Sequence, residues 1–216
     1  MLTREQFLPH EMRIVAGLRT QGVSDERVIV RVKSENLFQY PTERMVANRA
    51  TVCLRRLDAM VPTDAACAAR GIDPKTAVEA ALSLTGLMAS GTPTQADQAI
   101  FYSMICRYDI VREFVLVEVG ERLQNFDYAF TAADLNAFMT RFTTEYPDAA
   151  RWTEATVKRI KGSIRQTLRH AGLIGEGMGP ESERLSPLFL DSDVERALVQ
   201  LGEQPLIAAL TGREVM

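Results

Sequence analysis

Apolar residues recur at three- and four-residue steps over most of the chain, so the pattern predicts a succession of helices. The clearest is Trp152 to Ile174, WTEATVKRIKGSIRQTLRHAGLI, where Val157, Ile160, Ile164, Leu168 and Ala171 gather on one face. Lys158, Lys161, Arg165 and Arg169 each stand one residue further on, and at about 100° per residue they form a basic stripe beside the apolar one. Arg159 lies at its margin. Thr153 is placed to cap the N-terminus, Glu154 complements the helix dipole, and Gly172 stands where a left-handed residue would close the helix. Thr131 to Tyr146 predicts the helix before it: Thr131 caps, Asp134 fills the third helical position, and Leu135, Phe138, Met139 and Phe142 form the apolar face. Tyr146-Pro147-Asp148 breaks it, because proline cannot continue the hydrogen-bond ladder. Trp152 is expected to be substantially buried against this first helix, near Phe138 or Phe142.

After the basic helix, Leu173-Ile174 is apolar, Gly175 to Pro180 (GEGMGP) makes a loop, and Arg184 to Leu190 (RLSPLFL) returns as a strand. Two helices, the second one basic, and then a hairpin outline a winged helix-turn-helix whose second helix would enter a major groove. Double-stranded DNA is therefore the expected ligand, with Arg184 helping from the wing.

Upstream, the pattern predicts helices over Pro9 to Gln21, Ser24 to Ser34, Glu43 to Met60, Asp64 to Arg70 and Pro74 to Ser90. Further helices begin at Thr94 and at Asp109, the latter running to about Gln124. Phe126 and Phe130 are expected to pack near a soft boundary. The expected fold is mainly α, with a helical domain over residues 1–126 and a winged helix-turn-helix with C-terminal helices over 127–216. Arg44, Arg49, Arg55 and Arg56 lie on the Glu43 to Met60 helix among Glu43 and Asp58. Its polar positions are mixed rather than striped, which favours ion pairing with neighbouring helices over phosphate contact.

Composition narrows the chemistry. The chain has 216 residues, 46% hydrophobic and 25% charged, with a formal net charge of −3, so a nucleic-acid site must be one local face. Cys53, Cys67 and Cys106 are odd in number and widely spaced, consistent with reduced buried thiols. Neither His10 nor His170 belongs to a metal-spacing motif, and the GEGMG glycines lack the lysine and hydroxyl of a P-loop. No catalytic, metal or cofactor role is assigned. The apolar run Ile100 to Val119 is interrupted by Arg107, Asp109, Arg112, Glu113 and Glu118, so no membrane span is expected, and MLTREQFLPHEMR has no apolar signal core.

The pattern Arg151-Trp152-Thr153, Thr156-Val157-Lys158-Arg159-Ile160, Leu168 and Ala171-Gly172-Leu173-Ile174 resembles the BrxA family of BREX phage-defence systems. The N-terminal half agrees in layout: Glu35-Asn36-Leu37-Phe38, then a helix with Asn48-Arg49 and Arg55-Arg56-Leu57. The resemblance implies a cytoplasmic, non-enzymatic accessory protein that binds duplex DNA and works beside other BREX components. It also puts forward Arg49, Arg55 and Arg56 as weaker DNA-binding candidates. The rival expectation is an interaction scaffold whose basic helix docks an acidic partner.

Overall fold

A computed structural model describes residues 6–175 and 183–213 of the chain. Among these residues the protein is mainly helical and divides into two compact units. One runs over Leu8–Arg107 and takes back Leu190–Glu203; the other contains Tyr108–Phe189 and the segment from Gln204. The expected boundary at residues 126–127 falls inside the second.

The first unit opens with α1 (Pro9–Thr20), α2 (Asp25–Ser34), α3 (Glu43–Ala59), α4 (Asp64–Arg70), α5 (Pro74–Ser90) and α6 (Pro93–Arg107). Side-chain caps start several of them. Thr42 accepts from the Met45 amide at 3.3 Å, Thr63 from Ala66 at 3.2 Å, and Asp73 from Thr76 at 2.8 Å. Each satisfies a backbone donor that the helix cannot reach. α1 packs on α5, α3 and α6. The buried face of α5 is built from Ala77, Ala80, Ala81, Leu84 and Met88, and its small residues allow close helix approach. α2 lies on α3 and α1, so the first three helices form a cluster with α6 against the inner side of α3.

The second unit opens with α7 (Asp109–Glu113), which continues through a π-helical segment Phe114–Val119 into α8 (Gly120–Gln124). The helix expected from Asp109 to Gln124 is thus continuous but locally widened. α9 (Ala132–Glu145) and α10 (Glu154–His170) follow, joined by residues 146–153 with a 3₁₀ turn at Ala149–Arg151. This connection is longer than the short turn expected. α11 (Ser192–Gln200) then returns to the first unit and packs on α5 and α6. α12 (Gln204–Thr211) packs on the π-helical segment and on α8. There Gly120 approaches Ala209 so closely that a Cβ would sit 3.0 Å from the alanine methyl.

The core around α9 is aromatic. Phe114 meets Phe130 and Phe138 edge-on, with centroids 6.1 and 4.9 Å apart. Phe130 is buried as expected, but Phe126 is 76% exposed, held outward by a left-handed backbone at φ +57°.

The expected hairpin is not formed as strands among the described residues. Instead Ile174 makes a single antiparallel bridge with Leu185, and Arg184 a second one with Ala129. The returning segment therefore lies between two neighbours rather than one. Four backbone hydrogen bonds pair it with these two neighbours, from the Leu185 amide to Tyr128 O, Phe130 to Glu183 O, Ser186 to Leu173 O and Gly175 to Arg184 O, at 2.9 to 3.3 Å, and the Leu188 amide donates to Leu210 O at 2.8 Å. Pro187 has no N–H with which to extend the ladder, which keeps the pairing to single bridges. Most of the expected loop, residues 176–180, lies outside the described residues.

Candidate nucleic-acid interface

α10 forms where its caps are written. Thr153 Oγ1 accepts from the Thr156 amide at 3.2 Å. At the other end Gly172, at φ +80°, lets the Leu173 amide reach Leu168 O at 2.9 Å while its own amide reaches Arg169 O at 3.0 Å. This is the double closure of a Schellman motif. Ile160, Ile164, Leu168 and Ala171 are buried, whereas Val157 is only half-buried. Preceding α10, Asp134 accepts from the Thr131 amide at 2.7 Å and starts α9.

The basic stripe separates into two groups. Lys158 and Arg159 are exposed, and among the described residues neither has a hydrogen-bond or ion-pair partner. Lys161 is half-buried and donates from Nζ to Asn136 Oδ1 on α9 at 2.6 Å. Arg165 and Arg169 turn instead to Glu183. Arg165 Nε donates to Glu183 Oε2 at 2.5 Å, and Arg169 Nη2 donates to Glu183 Oε1. Glu183 is 4% exposed, so its carboxylate is solvated by these two guanidinium groups rather than by water. The pair of arginines anchors the returning segment to α10. Arg184, the next residue, is exposed and lies 5.9 Å from the centroid of the Tyr128 ring. The outward cations of this surface are thus Lys158, Arg159 and Arg184, with Lys161 at the edge.

Trp152 does pack on α9: its ring stacks on Phe142 at 6.0 Å, and Tyr146 stacks on the same ring at 4.2 Å. Most of its surface is covered, as expected, and its edge is left at the rim by the loop that carries it. His170 stacks on Phe7 with centroids 5.0 Å apart, a packing role in the last turn of the helix.

The arginines of α3 also sort by direction. Arg56 is fully buried, which removes it as a contact for a duplex. Arg49 is half-buried, and its charge acts on Tyr40 and Cys53. Tyr40 is pushed up to about 12 by burial and by its hydrogen bond to Glu11. Burial alone dominates at Cys53, also pushed up to about 12, so this thiol stays protonated at neutral pH and is a poor nucleophile. Arg55 is exposed, as is Arg44. Among the described residues no group of three or more His, Cys, Asp or Glu side chains could hold a metal ion, and no helix is long and apolar enough to cross a membrane.

The family model BrxA matches residues 1–202. The BREX protein BrxA of Escherichia coli O9:H4 (strain HS) is 21% identical over 127 residues, 59% of this chain and 58% of that protein. The match thus spans less than two thirds of the curated relative. An uncharacterized protein from Magnetospirillum magneticum, known from its crystal structure, shares the fold: TM-score 0.74 over 98% of this chain and 97% of that one, at 17% identity.

Proposed function

The chain belongs to the BrxA family, and from this we propose that it is a non-enzymatic, double-stranded-DNA-binding component of a BREX phage-defence system. It would act in the cytoplasm beside other BREX components. We take the second unit as a winged helix-turn-helix, with α10 as the helix that enters the major groove. Element order supports this: a helix over residues 109–124, an extended stretch at 128–130, α9, α10, then the paired stretches at 173–175 and 183–186. The observation that carries the proposal is the outward pair Lys158 and Arg159 on α10, with Lys161 at its edge bonded to Asn136, in a chain of net charge −3. Unpaired cations on a helix are free to replace the counterions of a phosphate backbone, at no cost in broken ion pairs. Arg184 adds a cation from the returning segment, and Arg165 and Arg169 keep that segment in place through Glu183.

The test is a fluorescence-anisotropy titration with a random-sequence duplex at several salt concentrations. Lys158→Glu with Arg159→Glu should weaken binding and make the salt slope shallower by about 0.9 for each phosphate no longer neutralised. A folded double variant with the parent's affinity and slope would remove α10 from the interface.

A further inference from the structure

We propose that Glu183 is an internal stand-in for a DNA phosphate, whose charge holds down the affinity of α10 for a duplex. The inference rests on α10 being the duplex-binding helix. With Lys158 at zero and about 100° per residue, Lys161, Arg165 and Arg169 fall near −60°, −20° and +20°. The two arginines thus stand on the same stripe as the lysines, roughly 10 and 16 Å further along the helix axis than Lys158. Their charge is nevertheless met inside the protein. Arg165 Nε donates to Glu183 Oε2 at 2.5 Å, and Arg169 Nη2 donates to Glu183 Oε1. An anion that takes guanidinium donors on two separate oxygens is also what a backbone phosphate offers to a pair of arginines.

The guanidinium groups are not enclosed with the carboxylate. Glu183 is buried, whereas Arg165 is half-buried and Arg169 is exposed. Each guanidinium carries five N–H donors, and the two bonds to Glu183 use one from each. The remaining donors keep both arginines within reach of a duplex that α10 enters, but two positive charges and one negative leave a net of only one. Among the described residues no other acid pairs with a cation of this helix, so Glu183 sets the charge of the C-terminal half of the stripe. Counterion release follows the phosphates that a protein neutralises, and a cation already balanced by a carboxylate adds less to it. Neutralising Glu183 restores one charge without removing a side chain from the stripe.

The experiment measures binding of the full chain to a random-sequence DNA duplex at salt concentrations from about 50 to 200 mM. Glu183→Gln keeps a side-chain oxygen that accepts from the arginines and removes the charge. It should steepen the slope of log K against log salt by about 0.9, for one more phosphate neutralised. With parent and variant equal at about 1 M salt, that slope makes the variant about 15-fold tighter at the lower concentration and about 4-fold tighter at the higher. Adding Arg169→Gln to Glu183→Gln should return affinity and slope to those of the parent. Glu183→Asp keeps the charge and should keep the parent's slope; an equal steepening in both single variants would trace the effect to a loosened segment and overturn the proposal. Glu203→Gln is the control, because it neutralises another buried carboxylate bound by an arginine, Arg70 at 2.9 Å, in the first unit. Its slope should stay within about 0.3 of the parent's. An equal rise in that control overturns the proposal, as does parent-like or weaker binding by Glu183→Gln. The variant with Lys158→Glu and Arg159→Glu separates this role from the reading beneath it. Parent-like binding there removes α10 from the interface, whereas weak binding there with Glu183→Gln unchanged removes only the role of Glu183.

Discussion

Glu183 is the residue whose loss should be felt most sharply. Its carboxylate is almost fully buried and accepts from Arg165 and Arg169, which themselves are 28% and 55% exposed. Glu183→Ala leaves no buried charge behind, because both guanidinium groups can turn to water. The cost therefore falls below the 3–5 kcal/mol of a fully buried broken pair. Two charge-assisted hydrogen bonds disappear, one of them to a half-exposed arginine, which puts the cost at about 2–3 kcal/mol. For a chain of this length that corresponds to a fall in Tm of roughly 4–12 °C. Urea denaturation of the parent, Glu183→Ala, Arg165→Ala and the double variant would complete a double-mutant cycle. A coupling of at least about 1 kcal/mol between Glu183 and Arg165 is expected. Additivity within about 0.3 kcal/mol would mean that the clamp does not hold the returning segment to α10, and Arg165 would count among the free cations of the helix.

Three further outcomes rest on the packing and the caps. Trp152→Ala should destabilise by about 1.5–2.5 kcal/mol, less than a fully buried indole would, because part of the indole that stacks on Phe142 already faces water; an unchanged urea midpoint would contradict the anchor role. Gly120→Ala should cost about 1–3 kcal/mol by forcing α12, at Ala209, away from α8, and an unchanged Tm would show that this approach is looser than 3.0 Å implies. Asp191, which caps α11, is held below the usual carboxylate range by the Gln95 amide at 3.0 Å and by the Asp193 amide. Its folded value is depressed, so the stabilisation is complete above about pH 4 and is lost as pH falls through that lower value. Asp191→Ala should then cost about 1 kcal/mol at pH 7, and the difference from the parent should vanish in acid; a pH-independent difference would refute the linkage.

The helices around the candidate site were legible because their signals are local. Thr153, Gly172, Thr131 and Asp134 act within one helical turn, and the apolar period of α10 needs no partner to be seen. The fate of Arg165 and Arg169 was not, because the acid that binds them stands 18 and 14 residues further along the chain. A stripe of cations in sequence looks the same whether water or a buried carboxylate receives it. On α3 the adjacent Arg55 and Arg56 point about 100° apart, one outward and one into the core, a difference that residue type alone does not show. The expected hairpin missed the contribution of residues 128–130, which are too short a run to show alternation but take half of the returning segment's pairing. Phe126 departs from expectation for a different reason: hydrophobicity alone says burial, and a left-handed backbone there turns the ring outward. The return of α11 to α5 and α6 spans about a hundred residues and leaves no trace in local periodicity.

Hydrogen–deuterium exchange of the full chain, with and without a duplex of random sequence, tests the central claim most directly. On adding DNA, peptides covering the first two turns of α10, residues 154–161, should exchange more slowly, together with peptides that include Arg184. Saturating duplex with no added protection at residues 154–161 would contradict docking of α10 in the groove, wherever else on the chain protection appeared.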